Sequence, residues 1–399
     1  MIVTDAAFMR DLGSGSSSAP GNPSLTTTFV LKIAERCNLN CSYCYMYNKG
    51  DTSFLARPKF MSTELATAML ARIAGYAQRH NLPEVTLVFH GGEPLLIGRR
   101  WVQWFLEQTR RVAISAGISF NLGVQTNGTL LDDDWLSLFA AHKVTIGISC
   151  DGPEEWNDRE RRDFAGRGSY REVRRALDML VEKYGARWGV LTVVNPETRG
   201  SAVLKHFTDI GVRRVDFIWP DFNHDHPPPW PQGTLADYFC ELFDYWYDES
   251  PAPPRIRWFE SAMSLMLGGR SECDALGLNP VADIMVESDG TWEPLDTLRV
   301  CGNGMTRTGL DVRTCDVEAI WDVPLYQIGL RNQELLSQVC QSCAYRKVCG
   351  GGYLPHRYRS DTGFANPSIY CADYLAVLSH IRQRITKDLE KLSVTSIPA

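Results

Sequence analysis

Apolar residues follow two alternating rhythms along the chain. Short runs rich in β-branched and aromatic residues occupy 27–33, 85–90 ("VTLVFH"), 119–124, 144–149 ("VTIGIS"), 188–194 ("WGVLTVV") and 214–219 ("RVDFIW"). Runs this short and continuous predict strands buried on both faces. Between them, at 62–79, 98–116, 132–141, 169–184 and 199–210, the pattern is helical. "STEL" at 62–65 offers Ser62 as a helix start, although its acid sits one position early for a capping box. "TLLDDDW" places acids at the head of the third helix, where they complement its dipole. Strands alternating with helices predict an α/β fold with a parallel sheet and right-handed crossovers, a partial (β/α)6 TIM-like barrel. Ligands of such a barrel belong at the C-terminal ends of its strands.

The rhythm breaks after residue 220. "DFNHDHPPPWPQG" reads as a Pro-rich loop and "LADYFCELFDYWYD" as an amphipathic helix, after which "PAPPR" opens a new region. "IMVESDGTWEP" at 284–294 predicts a hairpin turning on Asp-Gly. A Cys-rich knot from about 335 precedes a terminal helix over about 372–393. The Gly/Ser/Pro-rich stretch 12–26 predicts a flexible leader over 1–26.

At 399 residues, 44% hydrophobic and 22% charged, the chain has the composition of a globular protein with a sizeable core. A net charge of −6 argues against a nucleic-acid partner. No apolar run approaches the roughly 18 residues of a membrane span, and "MIVTDAAFMRDLG" lacks the apolar core of a secretory signal. No membrane partner is expected, and the cytoplasm is the default location.

The cysteines change the picture most. Of twelve, Cys37, Cys41 and Cys44 share one loop after the first strand, and Cys301, Cys315, Cys340, Cys343, Cys349 and Cys371 lie beyond residue 300. Cys150, Cys240 and Cys273 stand apart, the first two in apolar surroundings that read as buried spectators. Clustered cysteines in a cytosolic chain point to metal rather than to disulfides. A zinc site wants four ligands and a catalytic thiol only one. Three thiolates suit a [4Fe–4S] cluster whose fourth iron stays open, with an ordinary zinc or structural loop as the alternative.

"CNLNCSYCY", with Tyr43 before the third cysteine, resembles the cluster loop of the radical S-adenosylmethionine (SAM) superfamily. The resemblance covers about residues 27–220. It implies that the open iron chelates the amino and carboxylate groups of SAM, and that SAM is cleaved by one electron to a 5′-deoxyadenosyl radical that abstracts hydrogen. That electron implies an external reductant of flavodoxin or ferredoxin type. "FHGGEP" after the second strand resembles the segment that receives the SAM ammonium, with Gly91 and Gly92 allowing close approach and Glu93 as acceptor. "VQTNGTLL" resembles the ribose-proximal segment, with Gln125, Thr126 and Asn127 as candidates. Ser149 and Arg161 in "GISCDGPEEWNDRERR" match positions that hold the SAM carboxylate. Taken singly, an Asn-Gly is a turn and an arginine a surface group; all four segments stand in register at strand ends.

"CQSCAYRKVC" with Cys371 resembles the SPASM domain, the auxiliary-cluster extension of radical SAM enzymes that modify peptides and proteins. Cys340, Cys343, Cys349 and Cys371 would hold one auxiliary [4Fe–4S] cluster, zinc being the alternative. The family's further cysteines are replaced by Leu295 and Tyr353, so a second auxiliary cluster is expected to be lost or rebuilt, with Cys301, Cys315 and Cys273 as candidates for a rebuilt site. The implied organisation is a leader at 1–26, a radical SAM partial barrel at 27–220, a helical bridge at 221–270 and a SPASM-like domain with terminal helix at 271–399.

This departure resembles the maturases of ribosomally made peptides, within them the cyclophane-forming group, rather than the sulfatase maturases. The implied substrate is a ribosomal precursor peptide. The implied product joins an aromatic ring carbon to the Cβ of a residue two positions later. The auxiliary cluster would accept the electron that the ring loses. Asp296 matches an acid/base position of related sulfatase maturases, for which burial would raise its pKa. His356 and Tyr358 rank below it, and His224 and His226 read as loop residues at the substrate mouth. Only about 26 residues precede the first strand, so the precursor's leader is expected to bind the barrel or SPASM surface, for instance by strand addition to an exposed edge. Alternatives are a maturase making a thioether, an epimerised centre or formylglycine, and a non-catalytic iron–sulfur electron-transfer or binding protein. "GGEP" and "QTNG" argue against the last, since an electron carrier needs no SAM contacts.

Overall fold

The computed structural model describes residues 25–250 and 253–395. Residues 1–24 of the expected leader lie outside them. The six expected strands are present as β1 (Thr28–Ala34), β2 (Glu84–Gly91), β3 (Ser119–Thr126), β4 (Thr145–Ser149), β5 (Trp188–Val193) and β6 (Val215–Ile218). They pair in parallel, with Val30 opposite Val88, Val88 opposite Gly123, Val124 opposite Ile146, Ile148 opposite Val190 and Leu191 opposite Asp216. All seven residues of β1 are buried, Lys32 among them. Helices cover the sheet as parallel strands require.

The hairpin forms as β7 (Ile284–Val286) and β8 (Trp292–Glu293), with Gly290 at φ +90° in its turn. A Cβ at Gly290 would stand 2.6 Å from Leu65 Cδ1, so the turn presses on a barrel helix. Sequence periodicity did not foresee that β7 pairs in parallel with β1, with Phe29 opposite Ile284 and Leu31 opposite Val286. The sheet therefore runs β6-β5-β4-β3-β2-β1-β7-β8, and strands from the region assigned to the auxiliary domain close one side of the barrel. Each outer edge is met at one point. Val215 N–H donates to Arg255 O at 3.0 Å, and Trp292 N–H donates to Leu310 O at 2.7 Å. Strand addition at these two positions would have to displace those segments.

The expected helices appear as α1 (Thr63–Arg79), α2 (Arg99–Ala116), α3 (Asp133–Ala141), α5 (Tyr170–Lys183), α6 (Gly200–Ile210), α7 (Thr234–Asp244) and the terminal α9 (Cys371–Thr395). Ser62 caps α1 by accepting from Leu65 N–H at 3.2 Å, and Asp132 caps α3 by accepting from Trp135 N–H at 3.0 Å. Three helices of seven or more residues were missed, α4 (Glu154–Glu160), α8 (Arg257–Met266) and the helix at Pro324–Leu330. The signal for α4 was present in Glu154 and Glu155, acids in its first turn. Trp219, at the end of β6, stacks between Phe239 of α7 and Tyr374 of α9, tying the terminal helix to the barrel.

A buried charge network joins the two halves. Arg57 pairs with Glu287 at 2.7 Å and with Glu293; Arg299 pairs with Glu287 at 2.6 Å, Glu293 at 3.3 Å and Asp51 at 3.2 Å. Burial, followed by the charge of Glu287, raises the Glu293 carboxyl to about 7 against the pull of Arg57 and Arg299. The folded chain thus holds a proton on this group that the unfolded chain releases near pH 4.3. Stability from this group is full at low pH and falls as pH rises through about 7. Thermal melts should drop between about pH 4.5 and 7 and level off above that, and Glu293→Gln should flatten that slope by roughly one titrating group.

Candidate active site

The loop after β1 is folded by its own backbone. Cys44 N–H donates to Cys41 O at 3.0 Å, and Asn48 N–H to Cys44 O at 2.8 Å. The segment after α4 clamps its outer side: Asn40 N–H donates to Arg162 O at 2.7 Å and Ser42 N–H to Glu160 O at 3.2 Å. This clamp delivers Arg161 to the three cysteines. Burial raises all three thiols, Cys44 to about 11, so they are neutral until a metal displaces their protons.

One cavity collects nearly every residue the motifs single out. Cys37, Cys41, Tyr43 and Cys44 line one side; β2 adds Gly91 and Gly92; β3 and its loop add Gln125, Thr126 and Asn127; Ser149 and Arg161 complete this polar end. The rest of the lining is largely apolar, formed by Tyr45, Met46, Tyr47, Leu191, Val193 and Ile218, with His90 among them. The enclosed space, open mouth included, is about 740 Å³.

Three expectations change in detail. Glu93 does not line the cavity. Its carboxylate accepts from Leu95 N–H at 3.0 Å, Thr126 Oγ1 at 2.7 Å and Asn127 N–H at 2.8 Å, so it braces β2 against β3 rather than facing outward. Gly91 and Gly92 are required by chain packing more than by a ligand. A Cβ at Gly91 would lie 2.0 Å from Ala34 O, and one at Gly92 would lie 2.5 Å from Arg36 O. Tyr43 is held through its hydroxyl, which accepts from Arg161 Nη1 at 2.8 Å and donates to Asp151.

The polar end has unused capacity. Gln125 donates through Nε2 to Ser149 Oγ at 2.8 Å, but its Oε1 has no hydrogen-bond partner among the described residues. Arg161 Nε is likewise without one. Each such buried atom costs about 1–3 kcal/mol unless something polar meets it. Three thiols, an idle acceptor and an idle cationic donor around one space fit an open-cornered iron–sulfur cluster and a zwitterionic ligand.

Residues 31–206 match the model of the Radical SAM superfamily. The chain is a radical SAM enzyme. A radical SAM enzyme works with a [4Fe–4S] cluster and SAM. It is 25% identical over 351 residues to the cysteine-type anaerobic sulfatase-maturating enzyme of Clostridium perfringens, spanning 85% of this chain and 91% of that one. Its fold superposes on native anSMEcpe with bound AdoMet and Cp18Cys peptide at a TM-score of 0.79 and 22% identity, covering 92% of this chain and 99% of that one. Streptococcus suis SuiB bound to precursor peptide SuiA matches at a TM-score of 0.58 and 16% identity, covering 93% and 87%. No helix among the described residues of the radical SAM enzyme is long and apolar enough to cross a membrane.

In the enzyme's C-terminal region, Cys340 lies in the turn Gln338–Gln341, Cys343 follows it, Cys349 ends the turn Arg346–Cys349 and Cys371 opens α9. Burial raises the Cys349 thiol to about 12, with Cys371, Cys340 and Cys343 adding to the rise, so the four lie near one another. Among the described residues no three His, Cys, Asp or Glu side chains converge on a single ion. Leu295 and Tyr353 are buried, and the Tyr353 hydroxyl pairs with Thr297. Cys273 neighbours Arg257 and Asp216, Cys301 neighbours Asp221 and Asp225, and Cys315 lies against Thr314. Cys273, Cys301 and Cys315 thus each have different neighbours.

Asp296 is fully buried behind the apolar wall. It accepts from Tyr45 Oη at 2.7 Å and pairs with Lys32. Burial alone would raise its carboxyl, as the sequence led one to expect, but Lys32 and His90 overcome that and hold it at about 2. The raised pKa is therefore corrected to a depressed one. His356 is buried between the rings of Tyr353 and Tyr370, and burial lowers it to about 4, which keeps it neutral. The Tyr358 carbonyl accepts from His224 N–H at 3.1 Å, His224 Nε2 meets Pro367 O at 2.8 Å, and His226 is exposed. None of these four lines the cavity. Sequence reasoning missed Lys32, Tyr45 and His90. A lone lysine inside the otherwise apolar "TFVLKIA" was the available signal.

Proposed function

We propose that this enzyme modifies a ribosomally made precursor peptide, joining an aromatic ring carbon to a side-chain Cβ. The observation that carries the reading is a single cavity lined both by cysteines, Gln125, Ser149 and Arg161 and by an apolar, partly aromatic set. In this reading Cys37, Cys41 and Cys44 ligate the first cluster. Asn127, whose Nδ2 donates to Asn38 Oδ1 at 2.9 Å, stiffens that loop. Gln125, Ser149 and Arg161 hold the polar ends of SAM, and Cys340, Cys343, Cys349 and Cys371 ligate the auxiliary cluster. Bound there, SAM and its cluster supply a 5′-deoxyadenosyl radical that takes a hydrogen atom, and the auxiliary cluster supplies an electron acceptor.

The peptide side chain loses a Cβ hydrogen, the carbon radical bonds to the ring, and the ring then gives up one electron and one proton. The wall of Tyr45, Met46, Leu191, Val193 and Ile218 excludes water and orients the ring. Asp296, behind Tyr45, is the proton acceptor of this reading. The relatives support a peptide substrate, since anSMEcpe was seen with Cp18Cys peptide and SuiB with SuiA. The burial of Leu295 and Tyr353 where a second auxiliary site would need thiols supports a departure from the sulfatase maturases.

Formylglycine formation is the second reading, favoured by the match to sulfatase-maturating enzymes over 91% of the relative's length. It also begins at Cβ and also removes a proton and an electron. Reduced enzyme should be given the peptide encoded by the neighbouring small open reading frame, and separately a sulfatase-derived Cys or Ser peptide. Loss of two hydrogens, a ring–Cβ bond in the fragment spectrum and no hydrazide-reactive carbonyl is the expected result. A carbonyl on the sulfatase peptide alone would transfer the assignment to formylglycine.

A further inference from the structure

Lys32 sits in the middle of β1 with no exposed surface, on a strand whose other residues are all buried too. A lone ammonium in such a place is costly unless every direction is answered. Its Nζ donates to Tyr45 Oη at 2.7 Å, lies 3.2 Å from His90 Nδ1 and 3.6 Å from Met46 Sδ, and pairs with Asp296. Tyr45, Met46 and His90 all line the cavity. Lys32 is therefore packed directly behind the apolar wall, touching three of its residues and the carboxylate beyond them.

Two details fix its orientation. His90 Nδ1 accepts from Gly91 N–H at 2.6 Å, which seats the imidazole with that nitrogen 3.2 Å from Lys32 Nζ. Tyr45 Oη accepts from Lys32 and donates to Asp296 Oδ2, which leaves Asp296 Oδ1 buried without a hydrogen-bond partner among the described residues. One oxygen is thus locked and the other idle.

We infer that Lys32 is a positioning residue: it fixes Asp296 as a carboxylate bound to the Tyr45 hydroxyl, poised behind the cavity wall to take, through Tyr45, the proton that the substrate radical gives up. This rests on the proposed reading of a reaction that removes a proton from a peptide. The proton crosses the wall at Tyr45, which lines the cavity: one substrate C–H is broken and one O–H forms on Tyr45 Oη, while the hydroxyl's own proton passes to Asp296 Oδ2. The electron leaves separately and does not pass through Lys32. The charged and titratable groups that face Asp296 are Lys32 from β1, Tyr45 from the cysteine loop, His90 from β2, Arg299 from the turn after β8 and Tyr353 from the segment after Cys349.

The test compares wild type, Lys32→Met, Asp296→Asn and the double variant, first establishing with wild type which peptide product forms. In wild type the rate should show no acid limb within the working range, because Asp296 stays ionised there. In Lys32→Met the buried carboxyl loses its counter-charge, and product formation should fall about tenfold from about pH 8.5 to about pH 6, while iron content and the SAM-induced change in the cluster's EPR signal match wild type. Each single variant should melt below wild type, and the double variant above both, since it buries neither charge alone. A Lys32→Met enzyme with wild-type rate and a flat profile would overturn the inference. So would a uniform loss at every pH, which marks a merely structural lysine. Should Lys32→Met fail to fold, a double variant that also fails would overturn it, because a neutral pair should restore folding. If wild type yields formylglycine, the proposed cross-link fails while the same pH comparison still decides the role of Lys32.

Discussion

A chain with alanine at Cys37, Cys41 and Cys44 should make no 5′-deoxyadenosine and no modified peptide. The expected loss is the whole catalysed rate, at least about a millionfold. The reason is local. The three thiols line the same cavity wall as Gly92, Gln125 and Arg161, whose side chains have no chemistry of their own to break a C–H bond. Iron should fall by about half, because the second cube proposed at Cys340, Cys343, Cys349 and Cys371 would carry about as many irons as the first. The complementary variant, with alanine at Cys340 and Cys343, should lose the other half yet still cleave SAM, while peptide product falls. Unchanged iron in the first variant would remove the basis for the whole site. Unimpaired product in the second would remove the role of the auxiliary cluster.

Gly92→Ala should be nearly as damaging without touching a ligand. The added Cβ would stand 2.0 Å from Tyr47 Oη and 2.5 Å from both the carbonyl carbon and oxygen of Arg36. A tyrosine hydroxyl can swing away, but the Arg36 backbone cannot. Glu93 N–H donates to Arg36 O at 2.9 Å, and Gly92 N–H to Ala34 O at 2.8 Å. Those bonds dock the start of the cysteine loop onto the end of β2. Forcing them apart should cost about 3 kcal/mol, as tight overpacking does, and shift Cys37 out of register with its partners. Melting temperature and iron content of Gly92→Ala, set against Gly302→Ala, where a Cβ meets nothing within 4 Å, would show it. Equal iron in the two variants would mean that the loop tolerates the displacement.

What could be read from residues alone was whatever is written locally. Buried parallel strands are continuous apolar runs, so β1 to β6 stood out, and Cys-x3-Cys-x2-Cys is compact enough to be seen in one loop. The Asp-Gly hairpin was legible for the same reason. What could not be read was long-range. Nothing in "IMV" says that it will lie beside "FVL" of β1, because parallel pairing is fixed by tertiary contacts rather than by a turn. Tyr45 and Asp296 meet across 251 positions, and with them the ion pair that reverses the expected pKa. The direction in which Glu93 points was also hidden, since a glutamate after two glycines looks equally suited to a ligand or to a brace.

The pairing of β7 with β1 makes the catalytic half of the molecule a borrower. Its first strand finishes its ladder only with residues from beyond the barrel, just ahead of the Cys-rich knot, and Arg57 finds its carboxylates there as well. A piece ending near residue 270 would carry a bared apolar ladder and a cation shut away from its anions, the recipe for sticking to its neighbours. Shuffling the C-terminal portion between relatives therefore means transplanting a matched seam, with residues 284–299 travelling together with 28–34 and 51–57.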